Sequence, residues 1–423
     1  MNPIKTFGKV MLCIILEAQV KRLRKKHHFK VVAVAGSAGK TSTKFALAQL
    51  LATQKKVQFQ EGNYNDRLTV PLVFFGHQQP GLFNIFAWAK IIISNYRISR
   101  KHYPYSYVVV ELGTDGPGQI QKFAYLQPEI VVLTSIAEEH MQYFGSIDEV
   151  AKEEMAVHEF AKLLVVNIDD TNRKYLEGCN FTSYGLNENA DYKFTKLAAE
   201  DLHKPSAELV LSNGTKIQVT LNMLGRQGAK ICLAAATVGD MLGYSNADII
   251  QGLESIRPVA GRLMVLNGKN NSKILDDTYN ASPIAVKAAL DVLYSAKSNQ
   301  RIAILGSMNE LGSSSSDCHR EIGAYCDPKK LDLVVTIGDQ AADHLAPAAR
   351  EAGCQVNSFN SPYEAGEYVA GMMKPGAVVL AKGSQNGVFA EEAVKLLLDH
   401  PRDAKKLVRQ SDYWLAQKSK QFS

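Results

Sequence analysis

The sequence predicts an α/β fold in which a doubly wound central domain with a phosphate-binding loop is followed by a smaller, Rossmann-like α/β domain. Short, fully apolar runs rich in β-branched residues alternate with stretches of helical periodicity, as in parallel sheets that are covered on both faces. A glycine-rich turn joins the first of these runs to a helix. The alternation starts again after residue 257, which indicates a second unit of the same class.

Length and composition set the broad class. The chain has 423 residues, 46% of them hydrophobic and 21% charged, which suits two or three globular domains with buried cores and excludes bulk disorder. Its net charge is +6, and the basic residues concentrate near both ends, which favours solvated termini over a nucleic-acid surface. The six cysteines show no metal-ligand spacing and predict reduced thiols in a cytoplasmic protein. We expect a monomer.

Residues 1–27 predict an N-terminal amphipathic helix with a basic end. Its apolar run, VMLCIILEA, is too short to span a bilayer. The basic cluster follows this run, and no small-residue cleavage site comes after it, so the segment is not a secretory signal. The helix could rest on the protein body or on a membrane. We favour the body and keep a peripheral membrane contact as the alternative.

Residues 28–256 predict the central domain. Four apolar runs read as strands buried on both faces of a parallel sheet. These runs are FKVVAVAG (29–36), YSYVVVELG (105–113), PEIVVLTSI (128–136) and AKLLVVNID (161–169). Residues 80–104 predict an additional amphipathic helix, and Asn213-Gly214 lies between two alternating runs that predict a β-hairpin. An alanine-rich helix then ends near Gly243.

Residues 257–423 predict the second domain, which follows the linker SIRPVAGRL. Four further runs, each followed by helical spacing, predict its strands. They are SKILDDTYN, QRIAILGSM, LDLVVTIGD and GAVVLAKGS. The expected architecture is therefore two domains with a cleft between them.

The turn GSAGKTS at residues 36–42 has the context that a phosphate-binding loop requires, between a strand and a helix. Backbone N–H groups and the helix N-terminus hold anionic oxygens, a lysine reaches the terminal phosphates, and a threonine ligates Mg²⁺. The longer form of this pattern has glycine where Val34 stands. The expected nucleotide contacts are Gly36, Ser37, Ala38, Gly39, Lys40, Thr41 and Ser42.

Further strings occur in a fixed order along the chain. They are EGNYNDRLTVPL (61–72), ELGTDGPGQI (111–120), TSIAEEHMQYFGSIDEVAKEE (134–154), RPVAGRL (257–263), DDTYNASP (276–283), LGSMNELG (305–312) and KGSQNG (382–387). This set resembles the Mur ligases, the ATP-dependent enzymes that add amino acids to the peptidoglycan precursor of the cell wall. It is most similar to the member that adds D-alanyl-D-alanine, and the resemblance extends from about residue 30 to about residue 400.

The resemblance implies a reaction and a set of residues for it. A carboxylate is phosphorylated by ATP to an acyl phosphate, which an amine then attacks, and Mg²⁺ is needed because several anionic groups converge. Glu111 ends a buried strand and His140 follows another, at the carboxyl edge where ligands bind in such sheets. The implied metal ligands are Thr41, Glu111, His140 and Glu154. The implied catalytic residues are Lys40, His140, Glu154 and Arg262.

One departure concerns the second metal site. Family members usually carry a carbamylated lysine fourteen residues after this histidine, where the present chain has Glu154. A glutamate supplies a carboxylate without CO₂ chemistry, so we expect Glu154 to be the ligand. The alternative is a carbamylated Lys152, but residues two apart on a helix point in different directions.

On the second domain, the resemblance implies that Arg262 and Asp277 contact ATP phosphate and ribose and that Asn280 lines the nucleotide site. Lys382 and Asn63 are the expected substrate contacts. Asp277 could instead cap a turn or a helix, Lys382 could be a solvated strand end, and Asn63 could be a turn residue. One further matching position, His319, suits a structural histidine at least as well as a substrate contact.

Two more departures limit the resemblance. Where family members have an asparagine that holds adenine, this chain has Ile231 within GRQGAKI, which predicts loose base selectivity. Relatives that add D-alanyl-D-alanine also begin with a separate domain for the uridine nucleotide, and the short segment before residue 36 leads us to expect that this domain is missing.

The leading hypothesis is an ATP- and Mg²⁺-dependent acid–amino-acid ligase of peptidoglycan precursor synthesis that adds D-alanyl-D-alanine to a muramyl-tripeptide carboxylate. The first alternative keeps the chemistry with a lipid-linked or other peptide acceptor. The second is a nucleotide-binding scaffold of the same fold without ligase activity.

Overall fold

The computed structural model describes residues 3–138, 141, 143–198, 202 and 205–422. The chain divides into two compact units. The first comprises Met1–Leu197, Ser206–Leu221 and Ala229–Ile256, and the second comprises Ala198–Pro205, Asn222–Gly228 and Arg257–Ser423.

The described residues before position 257 build one sheet in the order β2-β3-β1-β4-β5-β6-β7-β8-β9. The strands are β1 (Lys30–Ala35), β2 (Val57–Gln58), β3 (Tyr107–Glu111), β4 (Ile130–Leu133), β5 (Leu163–Asn167), β6 (Thr182–Gly185), β7 (Tyr192–Ala198), β8 (Ser206–Val210) and β9 (Lys216–Thr220). β1 pairs in parallel with β3 and with β4, whereas β8 and β9 form an antiparallel hairpin. The phosphate loop therefore follows a strand in the middle of the sheet, where both neighbours also end in polar segments.

Helices cover this sheet. They are α1 (Pro3–Lys26), α2 (Lys40–Ala52), α3 (Val70–Val73), α4 (Ile85–Ile98), α5 (Ile147–Met155), α6 (Gly225–Met241) and α7 (Asn246–Ser255). Helix α1 buries Cys13, Leu16, Val20 and Leu23 at helical spacing against the first unit, whereas other apolar residues of its first half are exposed. No helix in the described part of the chain combines the length and the apolar character that a membrane crossing needs.

The second unit has its own sheet, in the order β10-β11-β15-β12-β13-β14. Its strands are β10 (Met264–Gly268), β11 (Ser272–Asp277), β12 (Arg301–Gly306), β13 (Leu333–Ile337), β14 (Val356–Phe359) and β15 (Val378–Lys382). Its helices are α8 (Pro283–Ser295), α9 (Ser315–Tyr325), α10 (Ala346–Glu351), α11 (Pro362–Met372), α12 (Glu391–Leu397) and α13 (Asp412–Phe422). The pairs of this sheet are parallel except β10–β11.

The sequence predictions of secondary structure compare well with these elements. The buried runs, the helix within 80–104 and the hairpin around Asn213-Gly214 are present, and Gly243 follows α6 with φ +85°. Strand β10 was not predicted, since it lies directly after the segment interpreted as a linker. It is an antiparallel edge strand whose buried and exposed residues alternate, unlike the fully buried strands around it.

Candidate active site

The glycine turn after β1 requires its two glycines. Gly36 has φ +114°, and a Cβ there would lie 2.5 Å from Thr134 Oγ1 and 2.8 Å from the backbone nitrogen of Ser135. Gly39 has φ +82° and stands immediately before the first residue of α2. Gly36 therefore has no room for a side chain, and both positions have the positive φ that favours glycine. The turn brings the N-terminus of α2 to the carboxyl edge of the sheet.

The segment after β4 holds the turn in place. The Ser37 N–H donates to Ser135 O (2.9 Å), and the Ala38 N–H donates to Ser135 Oγ (2.9 Å). Ser37 Oγ donates to Ala137 O (3.0 Å). These two amides are engaged within the protein, so an anion at this turn would depend chiefly on the N-terminus of α2, from Gly39 to Thr41.

Lys40 is the first residue of α2, and its Nζ donates to Ser37 O at 3.3 Å. The ammonium group thus lies over the turn rather than away from it. A lysine in this position can reach the oxygens of a bound phosphate by a change of rotamer.

Glu111 lies at the same edge of the sheet, because it ends β3 and pairs in register with Val34 of β1. Its side chain is buried, and three groups surround it. Thr41 Oγ1 and Asn65 Nδ2 each lie 3.3 Å from Oε1, and Lys44 Nζ lies 3.4 Å from Oε2. Lys44 is itself buried and also donates to Gly62 O (3.1 Å). Neither Asn65 nor Lys44 was predicted from the sequence, and Asn63, which was predicted instead, is exposed.

Glu154 reaches the phosphate loop from α5. Its side chain is fully buried, and its Oε2 accepts the N–H of Gly36 at 2.7 Å. Lys152, two positions earlier on the same helix, is exposed. His140, the other ligand implied on this side, lies outside the described residues.

The adjacent Glu153 was not predicted to have a role. It accepts the N–H groups of Gly118 (2.6 Å), Gln119 (2.7 Å) and Ile120 (2.7 Å). These amides begin the 3₁₀ helix Ile120–Leu126, so the carboxylate satisfies otherwise unpaired donors at its N-terminus. The ELGTDGPGQI string is therefore fixed from α5, and a sequence pattern alone does not reveal which acid does this.

The residues around Thr41 suit a magnesium ion. Mg²⁺ prefers oxygen ligands, and the Thr41 hydroxyl and the Glu111 carboxylate lie within 3.3 Å of each other behind the phosphate loop. Glu111 Oε2 accepts no hydrogen bond from the described residues, and its nearest charged neighbour is Lys44 Nζ at 3.4 Å. No cluster of three or more His, Cys, Asp or Glu occurs in the described part of the chain, so further ligands would come from the phosphates and water.

In the second unit, the buried Lys382 and the partly exposed Asp277 form an ion pair at the ends of adjacent parallel strands. Lys382 Nζ donates to Asp277 Oδ2 (2.6 Å) and to the backbone O of Asn280 (2.9 Å). Leu263 N–H donates to Asp277 Oδ1 (3.1 Å). Burial lowers the pKa of Lys382, and the Asp277 carboxylate opposes that shift. Both candidate residues are thus bound to each other in this structure.

Arg262 precedes Leu263, and its guanidinium carbon lies 4.1 Å from the ring centre of Tyr279. This cation–π contact holds the arginine beside the DDTYN loop. Arg409, which is distant in sequence, also holds this loop. It donates to Thr278 O (2.5 Å) and Tyr279 O (3.0 Å), and it forms an ion pair with Glu391 (2.7 Å). No local sequence signal points to Arg409.

His319 has the structural role that the sequence left open. Its Nε2 accepts the Met308 N–H at 2.9 Å, and its Nδ1 lies 2.7 Å from Ser315 O. Burial lowers the pKa of this histidine, which favours the neutral ring that these two contacts require.

The helix that carries Ile231 holds an ion pair at the preceding position. Lys230 Nζ lies 2.7 Å from both carboxylate oxygens of Asp170, which also accepts from Asn167 Nδ2 (2.8 Å). This cluster ties α6 to the end of β5 within the first unit. Ile231 has no polar side-chain atom with which to bind a nucleobase.

Comparison with known proteins gives a consistent result. Residues 90–239 match the model of the Mur ligase middle domain, and residues 261–385 match that of the Mur ligase, glutamate ligase domain. The UDP-N-acetylmuramoyl-tripeptide–D-alanyl-D-alanine ligase of Haemophilus influenzae is 30% identical over 78% of this chain and 68% of its own length. The Bacillus subtilis enzyme of the same name is 26% identical over 88% of this chain and 76% of its own length. The structure of MurF ligase from Thermotoga maritima in complex with ADP has a TM-score of 0.75 at 23% identity, covering 93% of this chain and 84% of that one.

Proposed function

Because the chain belongs to the Mur ligase family, we propose that it is an ATP-dependent ligase that joins D-alanyl-D-alanine to the carboxylate of a muramyl tripeptide in peptidoglycan precursor synthesis. Relatives that are 26–30% identical to it over the aligned residues are named for this reaction. We place the reaction in the cytoplasm, the compartment that supplies ATP.

The observation that carries the proposal is the grouping of Lys40, Thr41 and Glu111 at one edge of the first sheet. This edge combines a helix N-terminus, a lysine and a hydroxyl–carboxylate pair at 3.3 Å. Such a combination is suited to a nucleoside triphosphate. Thr41 and Glu111 would hold Mg²⁺, which when bound offsets the negative charge of the phosphate oxygens.

The reaction has two steps. A carboxylate oxygen of the acceptor attacks the γ-phosphorus of ATP, ADP leaves, and an acyl phosphate forms. The amine nitrogen of D-alanyl-D-alanine then attacks the acyl carbon, phosphate leaves, and the nitrogen releases a proton. In the first step negative charge shifts onto the leaving oxygen of ADP, and the role of Lys40 is to stabilise that charge.

We also propose the remaining roles that the family resemblance implies. Glu154, a buried carboxylate on the amide of Gly36, would support a second metal ion with His140. Arg262, Asp277 and Asn280 would contact the nucleotide. Lys382 and Asn63 would contact the substrate.

The test is ADP release by the purified protein with ATP, Mg²⁺, UDP-N-acetylmuramoyl-tripeptide and D-alanyl-D-alanine, with each component omitted in turn. We expect repeated turnover of ATP to ADP only when carboxylate and amine are both present, and a product whose mass shows the added dipeptide. ADP release without either substrate would indicate a plain ATPase. No turnover with any acceptor would favour the scaffold hypothesis.

Lys40→Ala should reduce turnover by at least ~100-fold, because the lysine acts on charge that develops in the transition state. Lys55→Ala is the matched control, since Lys55 is exposed just beyond the end of the same helix. Near-normal turnover in the Lys40 variant would contradict the assignment of the phosphate loop.

A second candidate is the same chemistry on a lipid-linked acceptor. It is favoured by the large exposed side chains of α1 and α4, where apolar and basic residues occur together. Running the ADP assay with a lipid-linked acceptor in detergent, beside the nucleotide-linked one, separates the two substrates.

A further inference from the structure

Helices α1 and α4 lie side by side on the first unit and run in the same direction. Cys13 and Leu16 of α1 share a core cluster with Trp88 and Ile91 of α4. One helical turn further along, Gln19 Nε2 donates to Ile92 O (2.9 Å). At the next turn, Arg22 lies 4.8 Å from the ring centre of Tyr96. Residues further along α1 contact residues further along α4, so the two helices are parallel and their N-terminal halves lie at the same end of the pair.

The N-terminal halves of both helices expose large apolar side chains. On α4 and the residues before it, Phe83 is 69% exposed, Ile85 77% and Phe86 84%. On α1, Phe7 is 69% exposed, and Val10, Met11 and Ile14 are each more than a third exposed. We call these seven residues the apolar tip. Exposed apolar groups of this size on one face are characteristic of surfaces that bind a partner or a membrane.

The C-terminal halves of the same two helices are basic. Residues 3–26 contain seven Lys or Arg and one acid, Glu17, and residues 73–106 contain four Lys or Arg and no acid. Glu17 is paired to Arg67 at 2.5 Å, so its charge is already balanced. We call the exposed residues of this half the basic band. Its Lys and Arg residues are Lys21, Arg22, Lys25, Lys26, Arg97, Arg100 and Lys101.

An aromatic ring stands within the basic band. The guanidinium carbons of Arg22 and Arg100 lie 4.8 Å and 4.1 Å from the ring centre of Tyr96, which is itself 39% exposed. Tyrosine with an exposed hydroxyl between cationic side chains is typical of the level at which lipid headgroups meet the acyl chains.

We propose that this face of α1 and α4 docks on an anionic membrane surface, with the apolar tip inserted below the headgroups and the basic band against their phosphates. The positive charge of the basic band favours an anionic membrane as the partner, since the band has no unpaired acidic residue and is complementary to a negatively charged surface. A helix pair that packs its inner faces on the protein and its outer faces on lipid lies along the membrane and does not cross it. The proposal is independent of which acceptor the ligase uses.

The experiment is co-sedimentation of the full-length protein with vesicles of phosphatidylcholine alone and of phosphatidylcholine with phosphatidylglycerol. We expect binding to the mixed vesicles, little binding to phosphatidylcholine, and weaker binding as salt is raised. Equal binding to both vesicles, or none to either, would overturn the proposal.

Two variants test the two parts of the face. Ile85→Ser with Phe86→Ser should reduce partition onto the mixed vesicles at least ~10-fold. The serine side chains lack the favourable free energy that isoleucine and phenylalanine gain on moving from water into the membrane interface. Arg97→Gln with Lys101→Gln should reduce it ~10-fold at low salt and less at high salt. All four side chains are exposed, so the variants should fold, and thermal unfolding checks this.

Matched controls come from the second unit. Met372→Ser and Lys269→Gln alter an exposed apolar and an exposed basic residue there and should leave partition unchanged. Partition that is unchanged in the α4 variants as well would refute the docking face. A second copy of the chain is the competing occupant. Self-association detected by light scattering and abolished by the Ile85/Phe86 variant would show that this copy, not a membrane, covers the face.

Ligase turnover with a water-soluble acceptor should be the same in the α4 variants as in the unchanged protein. This measurement keeps the two proposals separate, because loss of vesicle binding with full turnover leaves the ligase assignment intact.

Discussion

Each unit buries a lysine against a carboxylate at the carboxyl end of a parallel strand, and the two pairs differ in how tightly they are held. Lys44 and Glu111 are 3.4 Å apart, and the other contacts to Glu111 are 3.3 Å long. Lys382 and Asp277 are 2.6 Å apart, and both also bond the backbone. Short, saturated contacts indicate a structural pair, whereas long contacts leave a carboxylate able to accept a cation.

The largest expected effect is on the tighter pair. Asp277→Asn leaves the buried Lys382 without its counter-charge, and we expect the free energy of unfolding to fall by about 3–5 kcal/mol. Urea unfolding measures this change. The double variant with Lys382→Met should recover part of the loss, because the uncompensated charge is gone. A loss below ~1 kcal/mol in Asp277→Asn would show that the pair is not structural.

Glu111→Gln should reduce turnover strongly and stability less than Asp277→Asn does. The amide keeps one oxygen, which can still accept from Thr41 and Asn65, but its NH₂ group then faces Lys44 Nζ and the negative charge is lost. We therefore expect turnover to fall ~100-fold and the Mg²⁺ concentration for half-maximal rate to rise. Its loss of stability should be smaller than that of Asp277→Asn. Glu129→Gln, which alters an ion pair with the exposed Lys162, is the control. A Mg²⁺ dependence unchanged by Glu111→Gln would remove Glu111 from the metal site.

Asp276, which adjoins the tighter pair, makes the stability of the second unit depend on pH. Burial raises the pKa of this carboxyl from 3.8 to about 6, although Thr278 and Gly261 donate to it. From its ordinary pKa of 3.8 up to about 6, the native protein keeps a proton that the unfolded chain has released. The neutral carboxyl of Asp276 contributes its full stabilisation below pH 3.8. As the pH rises from there to about 6, the free energy of unfolding falls by about 2–3 kcal/mol.

Asp276→Asn should flatten that part of the pH profile, whatever its fixed cost in stability. Thermal or urea unfolding at several pH values in the window provides the slopes. A slope equal to that of the unchanged protein would mean that Asp276 ionises normally in the native state.

The sequence predicted those parts of both units that depend on local pattern. Fully apolar runs identified the central parallel strands of both sheets but not β2, β6, β7 or β14, and the glycines of residues 36–42 identified the phosphate loop. These features are predictable because they are constrained by neighbours in sequence. Strand β10 was missed, since a short alternating edge strand resembles a loop in sequence.

The supporting contacts were not predictable in the same way, because they join distant positions. Lys44 looked like one more helix residue, yet it faces Glu111 from across the sheet edge. Arg409 lies 130 residues after the carbonyl of Tyr279 that it binds. The pattern favoured Asn63, whereas the structure brings the amide of Asn65, two positions later in the same loop, to Glu111.

The smallest expected effect concerns carbon dioxide. Glu154 is buried with Oε2 2.7 Å from the Gly36 amide, and Lys152 is exposed on the other side of α5. We therefore expect turnover that does not change with added bicarbonate and an intact mass that shows no carboxylated lysine. Lys152→Ala should retain full activity, whereas Glu154→Gln should lower it by removing the charge beside the phosphate loop. A bicarbonate-dependent rate that disappears in Lys152→Ala would instead place the metal-supporting carboxylate on that lysine, and α5 would have to turn to present it.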